Sequence, residues 1–297
     1  MSNTNNELLT DFSRNLVVHV NDEKLSDDEF RRLQLVELEL IKELDRVCRK
    51  NKIRYSLFCG TLLGSVRHKG FIPWDDDADI CMLRDDYERF KKVAHQLDPD
   101  ICFFQDHDTD PEYLWGYGKI RKTGTSHIRT GQEHIKCKTG IYIDIFPLDD
   151  VPGAVSLQLL QNFDCFVCRK ILWARVGKKE AKGIKKITYN LLSLIPTEAV
   201  YNHLKFYTKR SSNKRPNRVR TLLFPSFGTL YVKNPIEKRY GMPKSWFLRS
   251  KEYEFEGCRF FGMKNADAFL KHMYDDYMTP PPEDKRVPKV SFSRIEY

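Results

Sequence analysis

Gly60-Thr61-Leu62-Leu63-Gly64-Ser65-Val66-Arg67, followed shortly by Pro73-Trp74-Asp75-Asp76-Asp77-Ala78-Asp79-Ile80, is the stretch on which the reading turns. Polar and apolar residues alternate from Asp77 to Leu83, which predicts a strand. Side chains two apart on a strand share a face, so Asp77 and Asp79 are expected to point together. Adjacent carboxylates repel unless a proton or a cation lies between them. Mg²⁺, or Mn²⁺ in its place, suits such a pair because it takes oxygen ligands and keeps positions for phosphate oxygens. Asp75 lies one step further back and joins the set if the strand begins early. The Gly and distal Glu of an EF-hand loop are absent. Gly64-Ser65 is expected to turn tightly and to offer amides and a hydroxyl to a phosphate, with Arg67 adding a fork of donors.

Working outward, Ser26-Asp27-Asp28-Glu29 has the form of a capping box. Phe30, Leu33, Val36, Leu40, Leu44 and Val47 follow at three- and four-residue steps, so residues 28–51 are expected to be an amphipathic helix. Ile53–Cys59 reads as a strand ended by Gly60, Thr61–Arg67 as a brief helix and His68–Trp74 as a loop. A helix follows from Asp85, burying Tyr87, Phe90, Val93 and Leu97. Ile101–Gln105, Gly116–Arg121 and Ser126–Thr130 are expected strands. Ile141–Phe146 is another, stopped by Pro147, with Tyr142, Asp144 and Phe146 on one face. An acid centred on an otherwise apolar strand is costly unless paired or coordinated, so Asp144 is expected to be a third metal ligand or a base for an attacking hydroxyl. A hydrogen-bonded structural carboxylate is the alternative. From Val155 to about Arg210 the period is helical. Residues 211–217 read as a loop, and a closing helix is expected near Asp267–Tyr277. The order of elements is that of an α/β chain.

Of the 297 residues, 41% are hydrophobic, enough for a sizeable core and too many for a disordered chain. No apolar run reaches the roughly 18 residues that a membrane span needs. The first residues lack the pattern of a secretion signal, and the eight cysteines are scattered, so reduced thiols and a cytoplasmic location are expected. The net charge of +9 is uneven. Residues 151–240 hold 18 Lys and Arg against 4 Asp and Glu, a surplus of +14, while the remainder holds 32 against 37. That segment is expected to face phosphates, a polyanion or an anionic membrane surface, unless it is simply a solvated face. The organisation expected is a polar leader (1–25), a catalytic core (26–150), a basic helical subdomain (151–240) and a segment returning to the core (241–297).

The Gly-Ser and Asp-x-Asp conjunction resembles the nucleotidyltransferase superfamily. Tyr55–Leu83 is more narrowly similar to the LicD family of phosphocholine transferases, which share this signature with fukutin-like proteins. Lys119-Ile120-Arg121 with Thr125, Tyr142 to Asp149, Phe255-Glu256-Gly257, Asp267, Tyr274 to Met278, Pro281-Pro282 and Arg286 continue the likeness in the same order. Position 275 is Asp where the family's closing motif leads one to expect Gly. The resemblance implies a nucleotidyltransferase-like mixed sheet carrying a basic helical insertion. It implies transfer of phosphocholine, or a related alcohol phosphate, from CDP-choline or another CDP-alcohol to a hydroxyl of a surface glycan: teichoic acid, lipopolysaccharide or capsule. Asp75, Asp77, Asp79 and Asp144 would hold the metal. Gly64, Ser65, Arg67, Lys119 and Arg121 would hold donor phosphates. Trp74, Tyr142, Tyr274, Asp276 and Tyr277 are the candidates for choline or other substrate contacts, since a quaternary ammonium favours an aromatic wall.

Two rivals use the same residues differently. One is a nucleotidyltransferase that adds NMP to a small molecule or RNA. The other is a non-catalytic binder of polyanions or membrane through residues 151–240, although no nucleic-acid motif is present there and no nucleic-acid partner is expected. Cys165 and Cys168 are read as core or surface thiols, because no second Cys or His pair stands nearby in the sequence. His68 is read either as a phosphate contact or as a solvated loop residue.

Overall fold

The computed structural model describes residues 18–20, 25–211, 217–223, 241–288 and 291–297. Most of the expected leader (1–25) and most of the loop at 211–217 lie outside the described residues; Val18–Val20, inside that leader, is a strand rather than aperiodic chain, because it pairs antiparallel with residues 294–296.

Helix α1 (Asp27–Lys50) starts as its sequence predicts. Ser26 Oγ accepts from the Glu29 amide, and Glu29 Oε2 accepts from the Ser26 amide at 2.8 Å. Leu33, Val36, Leu40, Leu44 and Val47 form its buried stripe. Strand β1 (Val18–Val20) precedes it. After α1 the expected strand at 53–59 contracts to β2 (Ser56–Leu57), because the chain has already turned at Cys59 into helix α2 (Cys59–Arg67). Cys59 makes that turn at φ +42°, in the left-handed region that most side chains avoid.

The main sheet has the order β2-β3-β7-β5-β4, where β3 is Asp79–Leu83, β4 is Cys102–Gln105, β5 is Gly118–Lys122 and β7 is Tyr142–Asp150. Strands β3 and β7 run parallel and the other pairs antiparallel, so the architecture is α/β with a mixed sheet. Helix α3 (Arg84–Val93) follows β3 directly. The core formed between α1, α2, α3 and this sheet includes Leu40, Ile41, Leu44, Phe58, Leu62, Ile80, Phe90, Ile143 and Ile145.

Strand β7 does not stop at Pro147 but runs three residues beyond it. Proline lacks an amide to donate, so it is tolerated where one side of a strand is unpaired. That condition is met here. β5 pairs with β7 only as far as Ile145, and β8 (Arg218–Arg220) takes over only at Asp149, leaving Pro147 in the gap. β9 (Met242–Pro243) extends β8.

A second sheet has the order β1-β12-β6, with β6 at Ser126–Arg129 and β12 at Phe292–Glu296. The hairpin of β10 (Ser250–Phe255) and β11 (Cys258–Met263) lies against α2 and β2 and leads to helix α7 (Ala266–Tyr274). Residues 155–211 form three helices: α4 (Val155–Glu180), α5 (Gly183–Leu192) and α6 (Thr197–Ser211). Helices α4 and α6 share a smaller core of Cys165, Cys168, Leu172, Val200, Tyr201 and Leu204. Among the described residues, no helix is long and apolar enough to cross a membrane.

Candidate active site

Register puts chemistry in a row across the sheet. Asp79 on β3 is level with Asp144 on β7, which is level in turn with Lys119 on β5. In-register neighbours present side chains to one face, so these three meet. The Lys119 ammonium bonds Asp144 Oδ1 and lies 3.2 Å from the centre of the Tyr142 ring. Burial pushes the Lys119 ammonium down to about 7 against the pull of Asp144, with Arg129 and Arg121 adding to the depression.

Asp77 is not on the strand, which begins at Asp79. The preceding loop instead gathers Asp75, Asp76 and Asp77, which present carboxylate oxygens within 4.8 Å of one another. Asp79 is held well above the ordinary carboxylate range, first by burial and then by Asp77, Asp144 and Asp75, with Lys119 opposing. Strand alternation is therefore the wrong reason for Asp77 and Asp79 to be neighbours, yet neighbours they are.

The loop is pinned from three directions. Gln34 Nε2 of α1 donates to the carbonyls of Ile72 and Asp75, at 3.3 and 3.1 Å. Arg31 of α1 pairs with Glu256 at the β10–β11 turn, and Glu256 Oε1 accepts from the Phe71 amide at 3.0 Å. Thr61 Oγ1 of α2 accepts from the Asp79 amide at 2.7 Å. Two glycines permit this closeness. A Cβ on Gly60, at the free-amide end of α2, would collide with the Asp75 carboxylate, and one on Gly64 would collide with the Gly70 carbonyl.

Gly64-Ser65 is consequently not the expected phosphate turn. Both residues lie inside α2, and the fully buried Ser65 hydroxyl donates to the Leu62 carbonyl at 2.8 Å. Arg67 spends a donor on the Tyr277 carbonyl at 2.7 Å, tying α2 to the segment after α7. Arg121 is buried, bonded to Gln105 and to the Gly140 carbonyl.

The aromatic candidates separate. Tyr274 is exposed over part of its side chain, yet its phenol is held well above its ordinary acidity range. Burial is the main cause, and Cys59, Asp79, Asp75 and Asp77 add to it, so this phenol faces the acids. Tyr142 already carries Lys119 on its ring, and the Arg286 guanidinium lies 5.4 Å from the Trp74 ring centre. Asp276 and Tyr277 turn away. Thr279 donates to the Asp276 carboxylate, and the Tyr277 hydroxyl donates to Asp267 at 3.0 Å. The five therefore form no common cage. Asp275 has φ +54°, a conformation that glycine adopts freely, which matches the residue type expected at that position.

Sequence reasoning missed three participants. Glu37 of α1 is fully buried, its Oε2 has no hydrogen-bond partner, and its carboxyl is held well above the usual range by burial and by Asp77, Asp76, Asp75 and Asp144. A signal for it existed, since Glu37 stands four residues after Leu33 on the apolar stripe. Asp76 was overlooked within the acidic run. Arg129 of β6 donates to the Tyr142 hydroxyl at 2.8 Å and lines a pocket with Lys119, Arg121, Tyr117, Tyr142 and His127. Nothing local marked it.

An oxygen-only set of this kind, with one orphaned buried carboxylate oxygen and a single lysine against so many acids, fits a hard divalent cation. Cys165 and Cys168 are core thiols. The fold does bring Asp164 and His203 to Cys168, a juxtaposition the spacing did not show, but the Asp164 carboxylate is engaged by His203 and Tyr207.

Comparison with known proteins agrees with this geometry. The family described as LicD/FKTN/FKRP, nucleotidyltransferase domain, matches residues 52–165. The lipopolysaccharide cholinephosphotransferase LicD of Haemophilus influenzae is 30% identical over 272 residues, covering 87% of this chain and 94% of that protein. An uncharacterised protein of Rickettsia typhi is 38% identical over 79 residues, covering 25% and 26% of the two chains. Fold, acid cluster and relatives together define an enzyme of the phosphotransferase class. Within that class, the chain belongs to the LicD family.

Proposed function

We propose that the protein moves phosphocholine, or a related alcohol phosphate, from a CDP-activated donor to a hydroxyl of a glycan, with Mg²⁺ or Mn²⁺ as cofactor. The lipopolysaccharide of the Haemophilus relative supports a surface-glycan acceptor. The observation that carries the reading is the gathering of Asp75, Asp76, Asp77, Asp79 and Asp144, joined through the Lys119–Asp144 pair to a pocket lined by Lys119, Arg121 and Arg129.

Asp75, Asp77, Asp79 and Asp144 would hold the cation, with Asp76 adding negative charge beside them and the buried Glu37 carboxyl, its proton favoured by burial and by those acids, packed behind. When bound, the cation would neutralise diphosphate charge and favour departure of CMP. Lys119 and Arg129, which line the neighbouring pocket, would supply positive charge for donor phosphate oxygens. Phosphoryl transfer relies chiefly on positioning and charge neutralisation, so this division of labour suffices. Asp144 either completes the cation's shell or takes the acceptor's proton at its carboxylate. Trp74 and Tyr274 are the aromatic surfaces left for the choline head.

The test is incubation with CDP-choline, Mg²⁺ and a lipopolysaccharide acceptor, following CMP release and choline on the product. Asp77→Ala and Asp79→Ala should each abolish both signals. Pyrophosphate release from CTP or ATP, with CDP-choline left intact, would refute the reading in favour of NMP transfer.

A further inference from the structure

Among the described residues, 13 of the 17 large hydrophobic side chains left exposed fall between Val155 and Phe206, the same segment that carries the cationic surplus. They are ordered along the helices. At about 100° per residue, Val155, Leu159, Phe163, Phe166 and Trp173 share one edge of α4, whereas the buried Gln161, Cys165, Cys168, Leu172 and Val176 lie on the other side. Helix α4 thus has two apolar stripes, and only one is used by the core. Helix α5 buries nothing. It is held to α4 partly by the Tyr189 ring against Gly177, and it leaves Ile184, Ile187 and Leu191 open, with Leu194 just beyond its end. Ile184 is 83% exposed and Leu194 77%.

Cations flank these stripes. The Arg169 guanidinium and the Lys170 ammonium both stand 5.5 Å from the centre of the exposed Phe166 ring. Lys179, Lys182, Lys185 and Lys186 are exposed around the junction of α4 and α5. Long basic side chains beside outward aromatic and aliphatic residues suit the boundary between acyl chains and anionic head groups. The helices are too polar to cross a bilayer but have the composition of helices that lie in its surface. A second copy of this chain is a poor occupant, because two faces of the same positive sign repel.

We infer that the α4–α5 face docks on the surface of an anionic lipid bilayer, seating the exposed apolar stripes at head-group depth. This deepens the reading under Proposed function, since a glycan acceptor anchored in lipid would be met at that surface.

Flotation of the full chain, without donor or acceptor, on phosphatidylcholine vesicles with and without phosphatidylglycerol tests it. Binding should require the anionic lipid and weaken with salt. The double variant Phe163→Asp/Ile187→Asp should bind at least about tenfold less, because each change forfeits the transfer of a large apolar side chain. Its melting temperature, and its turnover on a water-soluble acceptor, should stay at wild-type values. The milder Lys185→Gln/Lys186→Gln pair should bind less tightly and lose salt sensitivity. Absence of wild-type flotation, or equal flotation by the aspartate variant, overturns the inference. So does a wild-type dimer that the aspartate variant splits in sedimentation velocity. Vesicle binding without any CDP-choline turnover would refute the substrate reading and leave the docking surface standing.

Discussion

Replacing Lys119 by Met keeps the length of the side chain and removes the single ammonium that bonds Asp144. Both partners are buried, Lys119 at 4% exposure and Asp144 at 4%. Breaking a buried pair from one side costs about 3–5 kcal/mol, because the surviving charge loses its partner in a place water does not reach. For a chain of this size each kcal/mol is worth about 2 °C, so the metal-free variant should melt roughly 6–10 °C below wild type. A divalent cation at the acid cluster, as proposed above, would supply what the ammonium had supplied. Saturating Mg²⁺ at about 100 times its dissociation constant stabilises by about 2.7 kcal/mol. That shift should be larger in Lys119→Met, where Asp144 has no competing partner, than in wild type. Differential scanning fluorimetry in EDTA and in Mg²⁺ reads both numbers. Equal Mg²⁺ shifts in the two proteins would refute a cation beside Asp144. An unchanged melting point in EDTA would refute the assigned pairing itself.

Asp79→Asn should raise the metal-free melting point, since the amide imitates a protonated carboxyl amid like charges, while transfer activity and the Mg²⁺ shift are lost; a lower melting point contradicts the assigned repulsion. Asp275→Gly should stabilise by about 1 kcal/mol by relieving the left-handed backbone, seen as a small rise in melting temperature with turnover unchanged. Gly64→Ala should cost about 1–3 kcal/mol through collision with the Gly70 carbonyl, and a melting curve like wild type would show that the 68–72 loop yields. His127 is buried and held well below its usual range by desolvation, then by Arg129, Arg121 and Lys119. The folded imidazole thus stays neutral while the unfolded one gains a proton below about pH 6.5. Stability should fall as pH drops through that value, and His127→Asn should flatten the melting temperature between pH 6.5 and 5.

Features encoded by neighbours in the chain were legible. The capping box, the stripe of α1 and the helical run from Val155 follow from local spacing, and the structure places them nearly residue for residue. The acid cluster was legible as a collection but not as a geometry. Asp79 meets Asp144 only because β3 and β7 run side by side, and a parallel pairing between distant segments leaves no local trace. Gly64-Ser65 was misread because a glycine needed for close backbone approach looks, in one dimension, like a glycine needed for a turn. Glu37 interrupts an apolar stripe where only a partnered acid belongs, so the clue was present. Arg129 reaches the site from a separate sheet and gave none.

The clamp running from Arg31 through Glu256 to the Phe71 amide ties together three regions of the chain, two of them outside residues 52–165. Together with Gln34 beneath the Asp75 carbonyl and Tyr277 capping Arg67, it makes the segment matched by the family dependent on parts outside that match. A fragment cut to those bounds, or grafted into another scaffold, would keep every motif aspartate and still lack the struts that hold them apart and aimed. The site's geometry therefore depends on Glu256 as much as its charge depends on the acids, although Glu256 need never touch a substrate.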